Sequence, residues 1–127
     1  PTPWGGAEVS CQYALFQDDS GYACGLNETT LIRAPRNSAG VSSQGLWDLL
    51  GNVAEWVEDD YRDTYSDISS TGIAYCDPGG CAAQGDKVYR GGGWRVEVSE
   101  IDNRRRFSAF YQLKSADLGF RVARYGP

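Results

Sequence analysis

The 127-residue sequence contains no histidine and no methionine. Without histidine, this chain cannot by itself form Ser-His or Cys-His nucleophile pairs, imidazole general bases or most iron, copper and catalytic zinc sites. The lack of methionine, with proline at position 1, favours a processed or partial chain, removal of an initiator methionine being the alternative. The sequence also lacks the roughly 18 consecutive apolar residues of a membrane span, so none is expected.

Acidic and basic residues are separated along the chain. The net charge is −5, yet residues 48–86 carry nine acidic side chains and one arginine, whereas residues 87–124 carry nine basic and four acidic ones. A basic half is one signal of nucleic-acid binding, but an acidic protein repels phosphate at long range. We therefore expect the two halves to pack and neutralise each other, with no nucleic-acid partner.

The composition, with 41% apolar residues and 16 glycines, is typical of a folded domain with many turns. The local patterns predict a helical turn at residues 46–50 and strands at or near residues 29–33, 53–57, 87–90, 107–111 and 118–124. In the last strand Phe120 and Val122 alternate with Arg121 and Ala123, the period of a half-buried strand. We predict one α+β domain over residues 1–127, loop-rich, with little helix and a small antiparallel sheet.

The four cysteines are Cys11, Cys24, Cys76 and Cys81. Four cysteines allow three pairings, of which we expect the two that are local in sequence, 11 with 24 and 76 with 81. Zinc is the competing interpretation, but neither spacing is a CxxC and no histidine can complete a site. Disulfides imply an oxidising compartment, so the sequence predicts a secreted, periplasmic or cell-surface protein.

Four motifs occur in a fixed order along the chain. Residues 3–5 read Pro-Trp-Gly, residues 45–56 read GLWDLLGNVAEW, residues 89–94 read YRGGGW and residues 118–124 read LGFRVAR. Together they resemble the formylglycine-generating enzyme family, also called sulfatase-modifying factor domains, which has a C-type-lectin-like fold. The resemblance covers nearly the whole chain but only the C-terminal part of a family domain. It implies an N-terminal segment that was cleaved, left out or supplied by a partner chain.

The resemblance also implies a structural calcium site in the central motif. Its ligands would be the side chains of Asp48 and Glu55 and the backbone carbonyl oxygens of Gly51 and Val53. Ca²⁺ takes six to eight hard oxygen ligands, which these residue types supply in part. The alternative is that the two carboxylates are solvated or form ion pairs with Arg90 or Arg121.

The resemblance implies no catalytic metal in this chain. Family oxidases resemble copper enzymes that use two cysteines after a GGSW-like motif and a serine within it, because thiolates suit Cu(I). The matching positions here are Val96 and Ile101, with Gly93 in place of the serine. A related branch uses iron held by histidines, which this chain lacks. We expect neither copper nor iron, and the interpretation leans away from an enzyme.

Other conspicuous residues have plain structural interpretations. Four aromatic residues are expected in the core rather than at a ligand platform: Trp47, Trp56, Trp94 and Phe120. Residues 91–93 are expected to form a bend that allows close backbone packing, rather than a phosphate cradle. Arg104 and Arg106 would share one face and pair with Asp59 or Asp60, in preference to forming an anion-binding patch.

The loops around residues 95–102 and 111–116 fall where this fold presents its ligand-binding surface. Arg95, Tyr111 and Gln112 are therefore the candidates for recognising a protein or glycan. The sequence thus predicts a non-catalytic, extracellular, calcium-stabilised binding or assembly module. Two alternatives stay open: one segment of a formylglycine-generating-type oxidoreductase whose missing part or partner carries the chemistry, or a structural subunit of an extracellular assembly.

Overall fold

Four short strands form one sheet in the protein. The computed structural model describes residues 2–6, 8–35, 38–66, 71–76, 81 and 84–123. The strands are β1 (Ala54–Asp60), β2 (Asp86–Arg90), β3 (Phe107–Phe110) and β4 (Leu118–Gly119), in the order β3-β2-β1-β4 across the sheet. A 3₁₀ helix, Val98–Glu100, lies between β2 and β3. The predicted loop-rich fold with a small sheet and little helix is confirmed.

The sheet is mixed rather than antiparallel throughout. β2 pairs antiparallel with β1 and with β3, whereas β4 pairs parallel with β1. Of the strand predicted over residues 118–124, the structure describes residues 118–123, and among these only Leu118 and Gly119 pair with β1. Beyond Gly119, Phe120 and Val122 are 74% and 87% exposed, so the predicted half-buried alternation is wrong. Alternation produces burial only where a second layer covers one face.

Residues 46–50 form no helix, contrary to the prediction. Trp47 makes an isolated bridge with Val41, and Asp48 has a φ of 52°, a left-handed conformation that interrupts a right-handed helix. The run is apolar because Leu50 is buried by distant parts of the chain, not because the run has helical periodicity. Residues 29–33 likewise form no strand, and Arg33 has a φ of 60°.

The core lies between the N-terminal segment and the loop that follows β2. Its buried members come from three stretches of sequence: Ala14, Leu15, Phe16, Ala23, Cys24, Leu50, Trp94 and Ile101. Of the four aromatics predicted to be buried, Trp94 belongs to this core, Trp56 is half-buried with its ring edge-on to Tyr89, and Trp47 is half-buried. The prediction is wrong for Phe120.

Two disulfides join the sequence-local cysteine pairs. Cys11 is bonded to Cys24 with a Cα–Cα distance of 5.6 Å, and Cys76 to Cys81 with 4.6 Å. The first lies at the core, where Cys24 is 8% exposed. The tight turn predicted between Cys76 and Cys81 lies outside the described residues. Among the residues that are described, no helix is long and apolar enough to cross a membrane.

Two ion pairs, Lys87–Asp60 and Arg121–Glu55, join the acidic and basic halves as predicted, but the arginines at 104 and 105 have partners that were not predicted. Arg104 pairs with Asp102 at 3.1 Å and Arg105 with Glu100 at 3.0 Å. Asp60 pairs instead with Lys87, and an Asp59 carboxylate oxygen accepts a hydrogen bond from the backbone of residue 75. Internal pairing of the arginines was thus predicted correctly for Arg104, but with the wrong partner.

Candidate functional site

The loop at residues 48–55 turns sharply because several of its residues adopt left-handed conformations. Asp48, Gly51 and Asn52 have φ values of 52°, 76° and 63°. The amide group of Asn52 locks the loop to Thr30, accepting from its backbone N–H at 2.9 Å and donating to its carbonyl at 3.2 Å. The Asn52 N–H donates to the Leu15 carbonyl at 2.8 Å, which fixes the loop against the core.

This loop brings together all four residues at which calcium ligands were predicted. Asp48, Gly51, Val53 and Glu55 line one cavity of about 170 Å³. Asp48 is 9% exposed, and one oxygen of its carboxylate accepts a hydrogen bond from the Arg33 N–H at 2.8 Å.

Arg121 reaches into the same loop from the chain segment after β4. Its Nε donates to Glu55 Oε2 at 2.6 Å and its Nη2 contacts the other carboxylate oxygen. Nη1 donates to the Trp47 carbonyl at 3.0 Å and Nη2 to the Asp48 carbonyl at 2.9 Å. The Glu55 hydrogen bond holds the pKa of the Arg121 guanidinium above its ordinary value, with burial opposing it. Glu55 therefore has the arginine partner that was the alternative to calcium.

Two backbone oxygens of the loop, the carbonyls of Gly51 and Val53, accept no hydrogen bond outside the sheet ladders from the described part of the chain. A carboxylate oxygen has two lone pairs, so Glu55 can serve a guanidinium and a cation together. In the described ranges no three His, Cys, Asp or Glu side chains cluster as a metal site. A cation here would thus depend on backbone oxygens, as Ca²⁺ sites commonly do.

Val96 and Ile101, the two positions that the resemblance assigned to the family's cysteines, meet around Gly92. A Cβ built on Gly92 would lie 2.6 Å from Ile101 Cδ1 and 3.0 Å from Val96 Cγ2, so both side chains reach the same point. Ile101 is 6% exposed and belongs to the core. At Gly93, the serine position, a Cβ would lie 3.0 Å from the Asp117 carbonyl oxygen. The close backbone packing predicted at residues 91–93 is found at Gly91, against the Leu49 carbonyl, and at Gly93, whereas Gly92 is packed by the two hydrocarbon side chains.

The three residues suggested as a recognition surface do not form one contact group. The Arg95 guanidinium lies over the Trp94 ring, 4.4 Å from its centroid. Gln112 donates to the Tyr111 hydroxyl at 3.0 Å. Within the described residues, no hydrogen bond or ring contact joins Arg95 to the other two. Their role in binding stays a prediction.

A cavity that the sequence did not indicate lies between β2, β3 and the segment before β4. Its lining includes Tyr89, Glu100, Phe107 and Asp117. Tyr89 could have been noticed because it alternates with Val88, which is fully buried, and so points to the opposite face of β2. No local signal connects Asp117 with that strand.

Comparisons with known proteins agree on one family. The profile of the family described as "Sulfatase-modifying factor enzyme 1-like domain" matches residues 4–125. A formylglycine-generating enzyme of Streptomyces coelicolor is 35% identical over 96 residues, which are 73% of this chain and 29% of that protein.

Two solved structures share the fold over 94% of this chain. PvdO from Pseudomonas aeruginosa has a TM-score of 0.63 with 25% identity, and variable protein 1 of Treponema denticola has 0.60 with 27%. The chain covers 42% and 40% of these two structures. It therefore spans less than half the length of each of these relatives.

Proposed function

Because the chain belongs to the sulfatase-modifying factor enzyme 1-like domain family, we propose that it is a member whose scaffold serves binding rather than oxidation. The observation that carries the proposal is that the hydrocarbon side chains of Val96 and Ile101 lie together beside Gly92. Cu(I) needs soft donor atoms such as thiolates, and neither side chain has a lone pair. The four cysteines of the chain occupy other sequence positions, and all four are held in disulfides. On this proposal, these residues take part in no copper-dependent step.

A copper titration with a gain-of-function control tests this proposal. We expect the purified chain to bind no stoichiometric Cu(I) and to leave a cysteine-containing peptide unoxidised. The double variant Val96→Cys/Ile101→Cys should bind Cu(I), because its two sulfur atoms would replace hydrocarbon groups that already meet beside Gly92. Stoichiometric copper and peptide turnover by the unaltered chain would overturn the proposal.

The loop at residues 48–55 would add calcium stabilisation to this module. Support comes from the cavity shared by Asp48, Gly51, Val53 and Glu55, whose oxygens are of the type that Ca²⁺ prefers. The ion would attract the loop's oxygen atoms and so stabilise the left-handed backbone conformations of Asp48, Gly51 and Asn52. Glu55 would then serve Arg121 and the ion together.

Thermal unfolding with calcium and with a chelator tests the calcium proposal. Calcium at about a hundredfold above its Kd stabilises by about 2.7 kcal/mol, so chelation should lower Tm by roughly 10 °C. Asp48→Ala should abolish this difference, and Asp48→Asn, which keeps an oxygen for the Arg33 N–H, should reduce it. The control is Asp102→Ala, which removes an acid that pairs with Arg104. An unchanged Tm in excess chelator would remove the claim.

The two disulfides support a secreted, periplasmic or cell-surface location, because such bonds persist in oxidising compartments. In that setting the module would bind a protein or glycan through its loops. Mass measurement of the native protein before and after reduction and alkylation tests the premise. Four free thiols in native material would contradict it.

A second candidate function is that the chain works as one segment of an oxidoreductase. A 35% identical relative is a formylglycine-generating enzyme of which this chain covers 29%. Four large apolar side chains are exposed, namely Leu31, Ile32, Phe120 and Val122, and two of them, Ile32 and Phe120, line one cavity. Exposed apolar surface of this kind favours a covering polypeptide. Here we expect a further segment or partner polypeptide, with metal ligands of its own, to accompany the native chain. Native mass measurement that detects this chain alone would exclude it.

A further inference from the structure

A cavity of about 360 Å³ is lined in part by Gly92, Gly93 and Val96, and it shares no lining residue with the cavity of the loop at residues 48–55. One wall is aromatic, because Tyr89 on β2 and Phe107 on β3 stack with ring centroids 5.4 Å apart and an interplanar angle of 15°. Leu113 adds apolar surface. A half-enclosed cavity with an apolar wall and a few polar groups is the usual form of a small-ligand site.

The charged groups of this cavity are acidic. Glu100 and Asp117 both line it. Glu100 is paired with Arg105, while Asp117 accepts a hydrogen bond from the Ser115 hydroxyl. Among the described residues, Asp117 has no cationic side chain within ion-pair distance. One of the two carboxylates is therefore available to a positively charged ligand.

The aromatic wall already holds a cation that belongs to the chain. The Arg105 guanidinium carbon lies 4.8 Å from the Phe107 ring centroid, and its Nη2 is 3.0 Å from Glu100 Oε1. Aromatic faces attract cations through the ring quadrupole. Burial raises the pKa of Tyr89 in this cavity, and the negative charges of Asp117 and Glu100 raise it further.

We propose that this cavity binds a primary alkylammonium group, with Asp117 as its ion-pair partner and its alkyl stem against Val96 and Leu113. A primary ammonium has three donors and no acceptor. Three residues that line the cavity carry acceptor groups for these donors: the Asp117 carboxylate, the Tyr89 hydroxyl and the Ser115 hydroxyl. The ligand is either a free amine or a lysine side chain of a peptide. The proposal rests on the proposed function, because Gly92 and Val96, beside which that function places no copper, line the same cavity.

Calorimetric titration of the 127-residue chain with n-butylammonium tests the proposal. We expect saturable binding that is at least tenfold weaker for n-butanol, which has a similar shape but no charge. Asp117→Asn should weaken n-butylammonium binding at least tenfold, while Asp102→Asn, which alters an acid outside the cavity, should leave it unchanged. Because Asp117→Asn keeps the backbone carbonyl that accepts from the Ala54 N–H, the fold should persist, and its circular dichroism checks this.

A parallel titration with Nα-acetyl-lysine methylamide separates the two sources of the ligand. Tighter binding than that of n-butylammonium assigns the cavity to a lysine side chain of a peptide, and equal or weaker binding to a free amine. The proposal is overturned if n-butylammonium shows no saturable binding up to about 10 mM, if n-butanol binds equally well, or if Asp117→Asn has no effect. None of these results would alter the outcome of the copper titration, so the two proposals fail separately.

Discussion

Gly51 is held against the backbone of Leu15. A Cβ at position 51 would lie 2.4 Å from the Leu15 carbonyl oxygen and 2.7 Å from its nitrogen, and the φ of Gly51 is +76°. We expect Gly51→Ala to lower the free energy of unfolding by about 3 kcal/mol, because strain and overlap act together. Urea unfolding measures this loss.

The matched control is Gly85, whose φ is +81° but whose Cβ would meet nothing within 4 Å. Gly85→Ala should therefore cost only the left-handed backbone penalty, about 1 kcal/mol. Equal losses for the two variants would show that the contact with Leu15 contributes nothing.

Tyr89 should make stability depend on alkaline pH. Burial, Asp117 and Glu100 raise the pKa of its hydroxyl above the ordinary value of 10.0. The unfolded chain therefore ionises this group at a lower pH than the folded chain. The resulting contribution to stability is present below about pH 10 and is lost as the pH rises through the folded-state pKa.

Tyr89→Phe should remove this part of the alkaline fall in the free energy of unfolding, followed by urea unfolding at a series of pH values. Asp117→Asn should shift the tyrosinate absorbance of Tyr89 to lower pH. Tyr22, which is 53% exposed, provides the control. If Tyr22→Phe flattened the pH profile as much as Tyr89→Phe, burial at position 89 would not be the cause.

At the scale of residues, the sequence predicted which residues form the loop at 48–55 better than it predicted which distant residues they contact. Asp48, Gly51, Val53 and Glu55 were placed together by one continuous motif, so the chain itself guarantees their proximity. Arg121 was named only as an alternative partner, because it lies 66 residues from Glu55. The Tyr89 and Asp117 cavity was missed for the same reason: no local pattern records which strands become neighbours.

At the scale of elements, the two disulfides should differ in their effect on stability. Cys11–Cys24 closes a separation of 13 residues at the core, and Cys76–Cys81 a separation of 5 in a polar region. In the chain-entropy model these closures stabilise by about 3 and about 2 kcal/mol. Cys11→Ser/Cys24→Ser should lose more than its entropic share, because it also places a hydroxyl in the core.

Urea unfolding of the two double-serine variants checks this order. The Cys76→Ser/Cys81→Ser variant is the comparison, since it removes a bond of the same kind outside the core cluster. If Cys76→Ser/Cys81→Ser lost more free energy of unfolding than Cys11→Ser/Cys24→Ser, the predicted order would be wrong.

The elements themselves were predictable where burial and local pattern agree. β1, β2 and β3 begin or end within about three residues of the predicted strands, an ordinary error for strand boundaries. The helix at residues 46–50 failed because Asp48 adopts a left-handed conformation that only the assembled loop requires. The strand over residues 118–124 failed because its alternation has no layer to pack against among the described residues.

At the scale of the whole molecule, the exposed apolar face of Leu31, Ile32, Phe120 and Val122 should govern behaviour in solution. Ile32 and Phe120 line one cavity, so the two segments bring exposed apolar side chains together there. We expect the isolated chain to bind a hydrophobic dye and to self-associate at high concentration. Ile32→Ser/Phe120→Ser should lower dye fluorescence about twofold or more without lowering Tm.

Dye fluorescence and sedimentation of the variant and of Ile73→Ser provide the check. Ile73 is also exposed, at 69%, but lies in a different part of the sequence. Equal reductions in both variants would show that total apolar exposure, and not this face, controls association.

The parallel pairing of β4 with β1 has a consequence for synthesis of the chain on the ribosome. β1 is complete at Asp60, but its partner on that side begins only at Leu118. During the interval one edge of β1 stands open to any other extended strand. A nascent or truncated chain that stops after β3 would therefore expose a strand edge that can pair wrongly with another chain. That edge is covered only after the motif at residues 118–124 has been synthesised.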